Sequence, residues 1–413
     1  MRIVIMAVGS RGDVAPYTGL GVRMQEAGHQ VTLATHGLFE ELVRSRGLGF
    51  HPLPLDTQEQ MTSRLAESGT SSPLKVTLAV NKVVADHARP MADAMLEAAK
   101  QADVVLLTPA GWIGGHVAEG LKLPSMGVYL QPMTPTREFP PATVTTRSLG
   151  GWGNRKAATM LRSMGQQPFR KVVDQLRTEL GLPAMKPAEW LAQVDAARWP
   201  ICYGYSPVVV PQPADWPEWN HTVGYWWPAP DPDFKPASEL VDFIAAGPAP
   251  VYIGFGSMPA ADREALSEVI GIALRRSGLR AVVNTGWAGL APAADEVLTV
   301  SDVPHDWLFP QMAAVVHHAG AGTAAAGLRA GVPAVPVPFM VDQPFWAQRL
   351  KALGVAPEVI PFRRLNADRL ATALTAATSN PEYRRRAVDV AGRLAQEDGA
   401  AGVLRVLEQL PRN

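Results

Sequence analysis

The chain has 413 residues, of which 47% are hydrophobic and 18% charged, and its formal net charge is +0. This length supports two or three domains with their own cores, and the composition excludes a disordered chain. The balanced charge leaves no electrostatic footprint for nucleic acid. Cys202, the single cysteine, excludes an intrachain disulfide and a cysteine-based metal site.

Arg2 to Ala7 reads as a buried first strand. Its apolar run, Ile3 to Val8, is too short for a signal-peptide core, and no stretch reaches the roughly 18 apolar residues a membrane span needs. The expectation is a soluble, cytoplasmic monomer or homodimer with no integral membrane segment. The strand ends in Val8-Gly9-Ser10-Arg11-Gly12-Asp13, and a helix follows to about Ala27, with Tyr17, Leu20, Met24 and Ala27 on one face. Gln30 to Thr35 is the next strand. The pattern repeats with a strand at Val104 to Thr108, a helical stretch through Val117, and a strand at Ser125 to Leu130. Alternation at this spacing predicts a parallel, doubly wound α/β sheet.

Between Ser206 and Pro250 lie ten prolines and four tryptophans, Trp216, Trp219, Trp226 and Trp227. The stretch reads as a stiff, irregular connection. Strands then resume at Val251 to Phe255, Arg280 to Asn284, Val297 to Val300, Ala314 to His317 and Ala334 to Val337. Residues 1–205 and 251–399 are thus expected to form two Rossmann-like domains joined by 206–250. Residues 400–413 add an amphipathic closing helix that packs back on the first domain. Ligands in such chains sit at the carboxyl ends of the strands, in the cleft between the sheets.

The stretch Ala314 to Arg329, AVVHHAGAGTAAAGLR, joins a short strand to an Ala-rich helix through a loop of small residues. A strand, a close-approach turn and a helix N-terminus make an anion site, because the first N–H groups of the helix are unpaired. The same pattern also fits a plain tight turn. Strand alternation sends His317 and His318 to opposite sides, so one of them faces the anion. The chain has neither Gly-x-x-x-x-Gly-Lys-Ser/Thr nor a Gly-x-Gly-x-x-Gly after its first strand, so neither a P-loop nor a standard dinucleotide site is indicated.

Five motifs occur in order: Gly9 to Pro16, Val251 to Met258, Val303 to Pro310, His317 to Thr323, and Pro338 to Trp346. Together they resemble the family 1 glycosyltransferases of the two-domain GT-B fold, above all sterol 3-β-glucosyltransferases and bacterial enzymes that glycosylate glycopeptides and macrolides. The resemblance implies inverting transfer of a sugar from a nucleotide diphosphate sugar to a hydroxyl of a lipophilic small molecule. UDP-glucose is the favoured donor, with thymidine diphosphate deoxysugars as the alternative. It implies no cofactor and no metal. Asp13 falls at the catalytic base. His318, Gly320, Gly322 and Thr323 fall at the donor's diphosphate with Ser257 nearby, Val303 at the base edge, and Asp342 and Gln343 at the sugar hydroxyls, while Ser10 and Ala321 are further donor-binding positions. Trp287 and Trp307 fall near the nucleotide, although either also reads as a wall residue. Trp112, Met133 and Thr134 are the candidate acceptor contacts, the last two within one of two variable segments, Leu55 to Val80 and Gln131 to Trp152, that are expected to line the acceptor pocket. The chain departs from the common motif at Ala319, where the family has glycine. If that position needs φ > 0, alanine costs roughly 1 kcal/mol.

The chemistry suits these residue types. A carboxylate in a cleft takes the acceptor's proton, while a helix N-terminus and a histidine stabilise the departing diphosphate. From its residues alone Asp13 also reads as a helix N-cap, with Pro16 in the first turn. Asp231-Pro232-Asp233 spells a metal motif of other glycosyltransferases but lies in the Pro-rich connection, where it reads as a linker turn. A nucleotide-sugar epimerase and a non-catalytic nucleotide-sugar binding protein are the competing functions.

Overall fold

The computed structural model describes residues 1–54, 87–256, 263–286, 289–293 and 296–411. Two parallel sheets carry the fold. The first holds β1 (Arg2–Met6), β2 (Gln30–His36), β3 (Gly49–Leu53), β4 (Val104–Leu107), β5 (Ser125–Tyr129), β6 (Ile201–Tyr203) and β7 (Asn220–Thr222), in the order β3-β2-β1-β4-β5-β6-β7. The second holds β8 (Val251–Gly254), β9 (Ala281–Asn284), β10 (Val297–Val300), β11 (Val315–His317) and β12 (Ala334–Pro336), in the order β10-β9-β8-β11-β12. Each sheet reverses its strand order beside its first strand, at the β1/β4 and β8/β11 pairs. Crevices for ligands open at such points.

The strands form because short β-branched runs are buried on both faces. Ile3, Ile5 and Val104 pack to one side of the first sheet, and Val4, Met6 and Val105 to the other. Among the described residues, the first domain's longer helices are α1 (Arg11–Glu26), α2 (Ala88–Ala99), α3 (Gly114–Leu121), α4 (Gly150–Met164), α5 (Arg170–Glu179) and α6 (Pro187–Ala196). After α7 (Ser238–Ala245) come α8 (Arg263–Ser277), α9 (Ala321–Arg329), α10 (Gln343–Ala352), α11 (Ala367–Ser379), α12 (Pro381–Leu394) and α13 (Gly399–Glu408). The closing helix α13 buries Ala400, Val403, Val406 and Leu407 in one cluster with β1 and α1, so the end of the chain lies on the first domain.

The Pro/Trp-rich stretch differs from the irregular connection expected. It contributes the edge strand β7, where Ile201 pairs with Asn220 and Tyr203 with Thr222, and the helix α7. Its aromatics are structural. Trp216 stacks on Tyr203 at 4.5 Å, and Trp226 lies 6.0 Å from Tyr17 of α1. Tyr203, Tyr205 and Phe139 of the first domain share a buried cluster with Phe309, Phe345 and Trp346 of the second. Phe139 meets Phe345 at 5.5 Å and Tyr205 meets Trp346 at 5.7 Å. This aromatic seam packs the two domains against each other below the cleft.

Candidate active site

The carboxyl end of β1 positions Asp13. Gly9 turns the chain at φ +142°, and a Cβ there would lie 2.6 Å from the Asp13 carboxylate, so the turn admits only glycine. Ser10 is the N-cap of α1, and Asp13 is the third residue of that helix. Asp13 is therefore not the N-cap, and Pro16 lies inside the helix beyond its first turn. The Ser10 N–H and hydroxyl each donate to Asp13 Oδ2 at 2.9 Å, the backbone half being the reach-back bond of a capping box. Gln131, from the loop after β5, donates to Oδ1 at 3.5 Å. Burial pushes the Asp13 carboxyl above its usual range, against the lowering effect of these three bonds. A raised carboxyl is the better proton acceptor near neutral pH.

Asp342, in the loop after β12, lies near enough to Asp13 for their charges to interact. His317 is fully buried and accepts the Ala319 N–H through Nδ1 at 3.0 Å. His318 takes the other direction. Its ring lies against Gly256 and Gly320, with a buried Nδ1 that has no hydrogen-bond partner among the described residues. A Cβ on Gly320 would stand 2.5 Å from His318 Nε2, so the imidazole occupies the space glycine leaves. Burial holds His317 at about 3 and His318 at about 4, which keeps both neutral at pH 7. Gly320 caps α9, and Ala321, Gly322 and Thr323 are its first three residues. Their N–H groups are the unpaired donors of the helix, at its positive end. Ala319 adopts φ +63°, the left-handed conformation in which alanine is strained.

Asp342 follows β12 as the N-cap of α10, and Trp346 Nε1 donates to its Oδ2 at 2.8 Å. Its carboxyl is pushed up to about 6, first by burial and further by the nearby charge of Asp13, against the Trp346 bond. The two carboxylates come from different sheets, and each end of the cleft supplies one. Gln343 turns its Oε1 inward to accept the Phe339 and Met340 N–H groups at 2.8 and 3.1 Å. Val303 is half-buried after β10. Its neighbour Asp302 pairs with Arg11 at 3.0 Å, which ties the two domains at the mouth of the cleft. Asp302 and Val341 also carry positive φ, at +38° and +55°. With Ala319, three non-glycine residues in left-handed geometry line loops of one cleft. Such strain collects where surrounding structure holds a site in place.

Other expected positions are distributed differently. Trp112 packs within 6.1 Å of the rings of His116, Phe169 and Trp190, beneath the sheet. Thr134 is committed to structure: its N–H and hydroxyl bond the Tyr203 hydroxyl, Asn220 donates to its Oγ1, and Trp216 donates to its carbonyl. Met133 is half-buried in the same loop. Trp307 packs edge-on against Phe234 at 5.8 Å. Ser257, Trp287 and the segment Leu55 to Val80 lie outside the described residues. Asp231 accepts the Asp233 N–H and sits 3.5 Å from Arg46, a turn on the surface of the connection. Among the described residues, no three His, Cys, Asp or Glu side chains converge to hold a metal ion. Sequence reading missed Gln131 and the Arg11–Asp302 pair.

The cleft geometry can be set beside known proteins. A model of the glycosyltransferase family 28 N-terminal domain matches residues 3–140, and one of the erythromycin biosynthesis protein CIII-like C-terminal domain matches residues 282–410. Sterol 3-beta-glucosyltransferase UGT80B1 of Arabidopsis thaliana is 34% identical over 98% of this chain and 67% of its own length. The chain belongs to this glycosyltransferase family. UGT80A2 of the same plant is 35% identical over 98% of this chain and 65% of its own length. The chain spans only 26% of the Debaryomyces hansenii sterol 3-beta-glucosyltransferase, at 33% identity and over 98% of its own length. Among solved structures, the glycotransferase of kitacinnamycin superposes with a TM-score of 0.73 at 20% identity, covering 99% of both chains. The calicheamicin glycosyltransferase CalG4 gives 0.68 at 18% identity, covering 99% of this chain and 97% of its own. At those identities the likeness establishes the GT-B fold. Among the described residues, no helix is long and apolar enough to cross a membrane.

Proposed function

We propose that the chain transfers a hexose, with inversion, from a nucleotide diphosphate sugar to a hydroxyl of a lipophilic sterol-like or natural-product acceptor. The observation that carries this reading is that Asp13, after the first sheet's β1, and Asp342, after the second sheet's β12, lie near enough for their charges to interact, on helices α1 and α10 that both pack against α9. UDP-glucose is the favoured donor, because the relatives above 30% identity are named for glucosyl transfer to sterols.

In this reading the diphosphate lies on the N–H groups of Ala321, Gly322 and Thr323, and neutral His318 donates an N–H to it. The helix end offsets the charge that grows on the leaving group, a role divalent metal plays in other glycosyltransferases. Asp342 accepts sugar hydroxyls, and the Gln343 amide donates to one. Asp13 accepts the acceptor's proton as its oxygen attacks the anomeric carbon from the face opposite the diphosphate. One displacement inverts the anomeric centre.

The test is incubation with UDP-glucose and thymidine diphosphate glucose, each with a sterol acceptor in detergent. A β-glycoside, identified by its proton coupling, supports the reading. An α-glycoside, or release of free sugar and nucleotide independent of acceptor, overturns it and favours retention or epimerase-type chemistry.

A further inference from the structure

Exposed large apolar side chains are concentrated in one place. Among the described residues, six of the eleven fall between positions 144 and 164: Val144, Leu149, Trp152, Met160, Leu161 and Met164. Trp152 is 72% exposed, and Met160 and Met164 are 59% each. On α4, Trp152, Lys156, Met160 and Met164 recur every four residues and so form one row along the helix surface. The helix is anchored from its other side. Asn154 is buried, accepting the Leu149 N–H and donating to the Arg137 carbonyl, and Arg162 reaches Asp195 of the first domain. The apolar row is therefore held outward by a fixed helix, and its exposure does not come from a frayed end.

The segment that carries the row is basic, with Arg155, Arg162 and Arg170 paired to Asp215, Asp195 and Asp174 and with Arg147, Lys156 and Lys171 outside those pairs. Between Glu138 and Asp174 the chain has six basic residues, Arg147, Arg155, Lys156, Arg162, Arg170 and Lys171, and no acidic one, in a protein of zero net charge. Lys156 lies over the Trp152 ring at 4.6 Å. An indole and flexible thioethers beside cations match the headgroup level of an anionic bilayer, where the apolar groups enter and the cations meet phosphate.

We propose that α4 docks the protein on an anionic membrane surface. The segment that begins at Gln131, the Asp13 partner, runs directly into this helix, so docking would bring the acceptor side of the cleft to the lipid in which an apolar acceptor is dissolved. That last step rests on the transfer reading above, whereas the docking itself does not.

The experiment is co-sedimentation of the full chain with phosphatidylcholine vesicles, with and without phosphatidylglycerol, at low and high salt. The chain should pellet with the anionic vesicles, remain largely in solution with the neutral ones, and be released by salt. Met160→Ser/Met164→Ser and Lys156→Glu should each lower the partition coefficient by about tenfold or more, with unchanged melting temperatures. The proposal is overturned if the chain ignores anionic vesicles or if wild type and variants partition alike. It is also overturned if sedimentation velocity detects a dimer that the Met variants dissolve, which would make the face a contact between copies. Transfer to a detergent-dissolved acceptor without vesicle binding removes docking alone. Vesicle binding without transfer removes the catalytic reading alone.

Discussion

Replacing Asp342 by Asn should stabilise the unliganded protein at pH 8. The carboxyl is moved from 3.8 to about 6, chiefly by burial. At about 1.4 kcal/mol per tenfold change in proton affinity, the ionised form costs the folded state about 3 kcal/mol. The side chain is half-buried, so water screens part of this, and the charge also gains from the α10 N-terminus. A net penalty of about 1–2 kcal/mol remains. Asn keeps an oxygen for Trp346 Nε1–H and is an equally good N-cap. The sign follows from the raised value. Between pH 3.8 and about 6 the folded carboxyl holds a proton that the unfolded one has lost, so wild-type stability falls as pH rises through that window. The variant escapes this loss. For a chain of 413 residues its melting temperature should exceed wild type by roughly 1–2 °C at pH 8. The advantage should shrink toward zero near pH 4. Melting curves by circular dichroism at the two pH values measure it. A variant equal to wild type or less stable at pH 8 would show that the Asp342 charge is already compensated.

The diphosphate loop should separate the two histidines: His318→Ala weakens nucleotide affinity and transfer, while His317→Ala acts mainly on stability, as calorimetric titration with UDP beside melting curves would reveal. Gly320→Ala drives a Cβ into the His318 ring and should reduce UDP affinity by about tenfold or more, with the fold retained. Asp342→Ala should lower discrimination among donor sugars more than it lowers affinity for free UDP, because a site built to bond a hydroxyl rejects analogues lacking it; parallel loss of both would contradict that role. Activity should survive EDTA, and loss restored by magnesium or manganese would place a metal at the diphosphate.

The sheets were legible where β-branched runs are buried on both faces, as at Ile3 to Met6 and Val104 to Leu107. β3 escaped notice because Pro52 sits in it, which only an edge strand tolerates, and β7 because three residues amid prolines carry no periodicity. The Pro/Trp-rich stretch looked like a spacer since its tryptophans pack only against partners distant in sequence, such as Tyr17 and Tyr203. At the site, local signals sufficed for the loop and helix end at Gly320 to Thr323. The strain at Ala319 was visible as a departure from glycine. Gln131 lies 118 residues from Asp13, and Arg11 lies 291 from Asp302; no local pattern announces either pair. Thr134 illustrates another limit: its bonds to Tyr203, Asn220 and Trp216 join residues 69 to 86 positions apart, which no local pattern announces.

The most direct measurement is single-turnover transfer by Asp13→Asn. The amide oxygen can keep the Ser10 bonds, and Gln131 can turn its amide over to accept from the new amide nitrogen through Oε1, so the variant should fold and bind UDP as wild type does. It cannot accept the acceptor's proton. The transfer rate should fall by roughly 10²–10⁴-fold, the range for loss of a general base, with nucleotide affinity unchanged. Near-normal transfer by Asp13→Asn would place the base elsewhere and contradict the role assigned to the cleft.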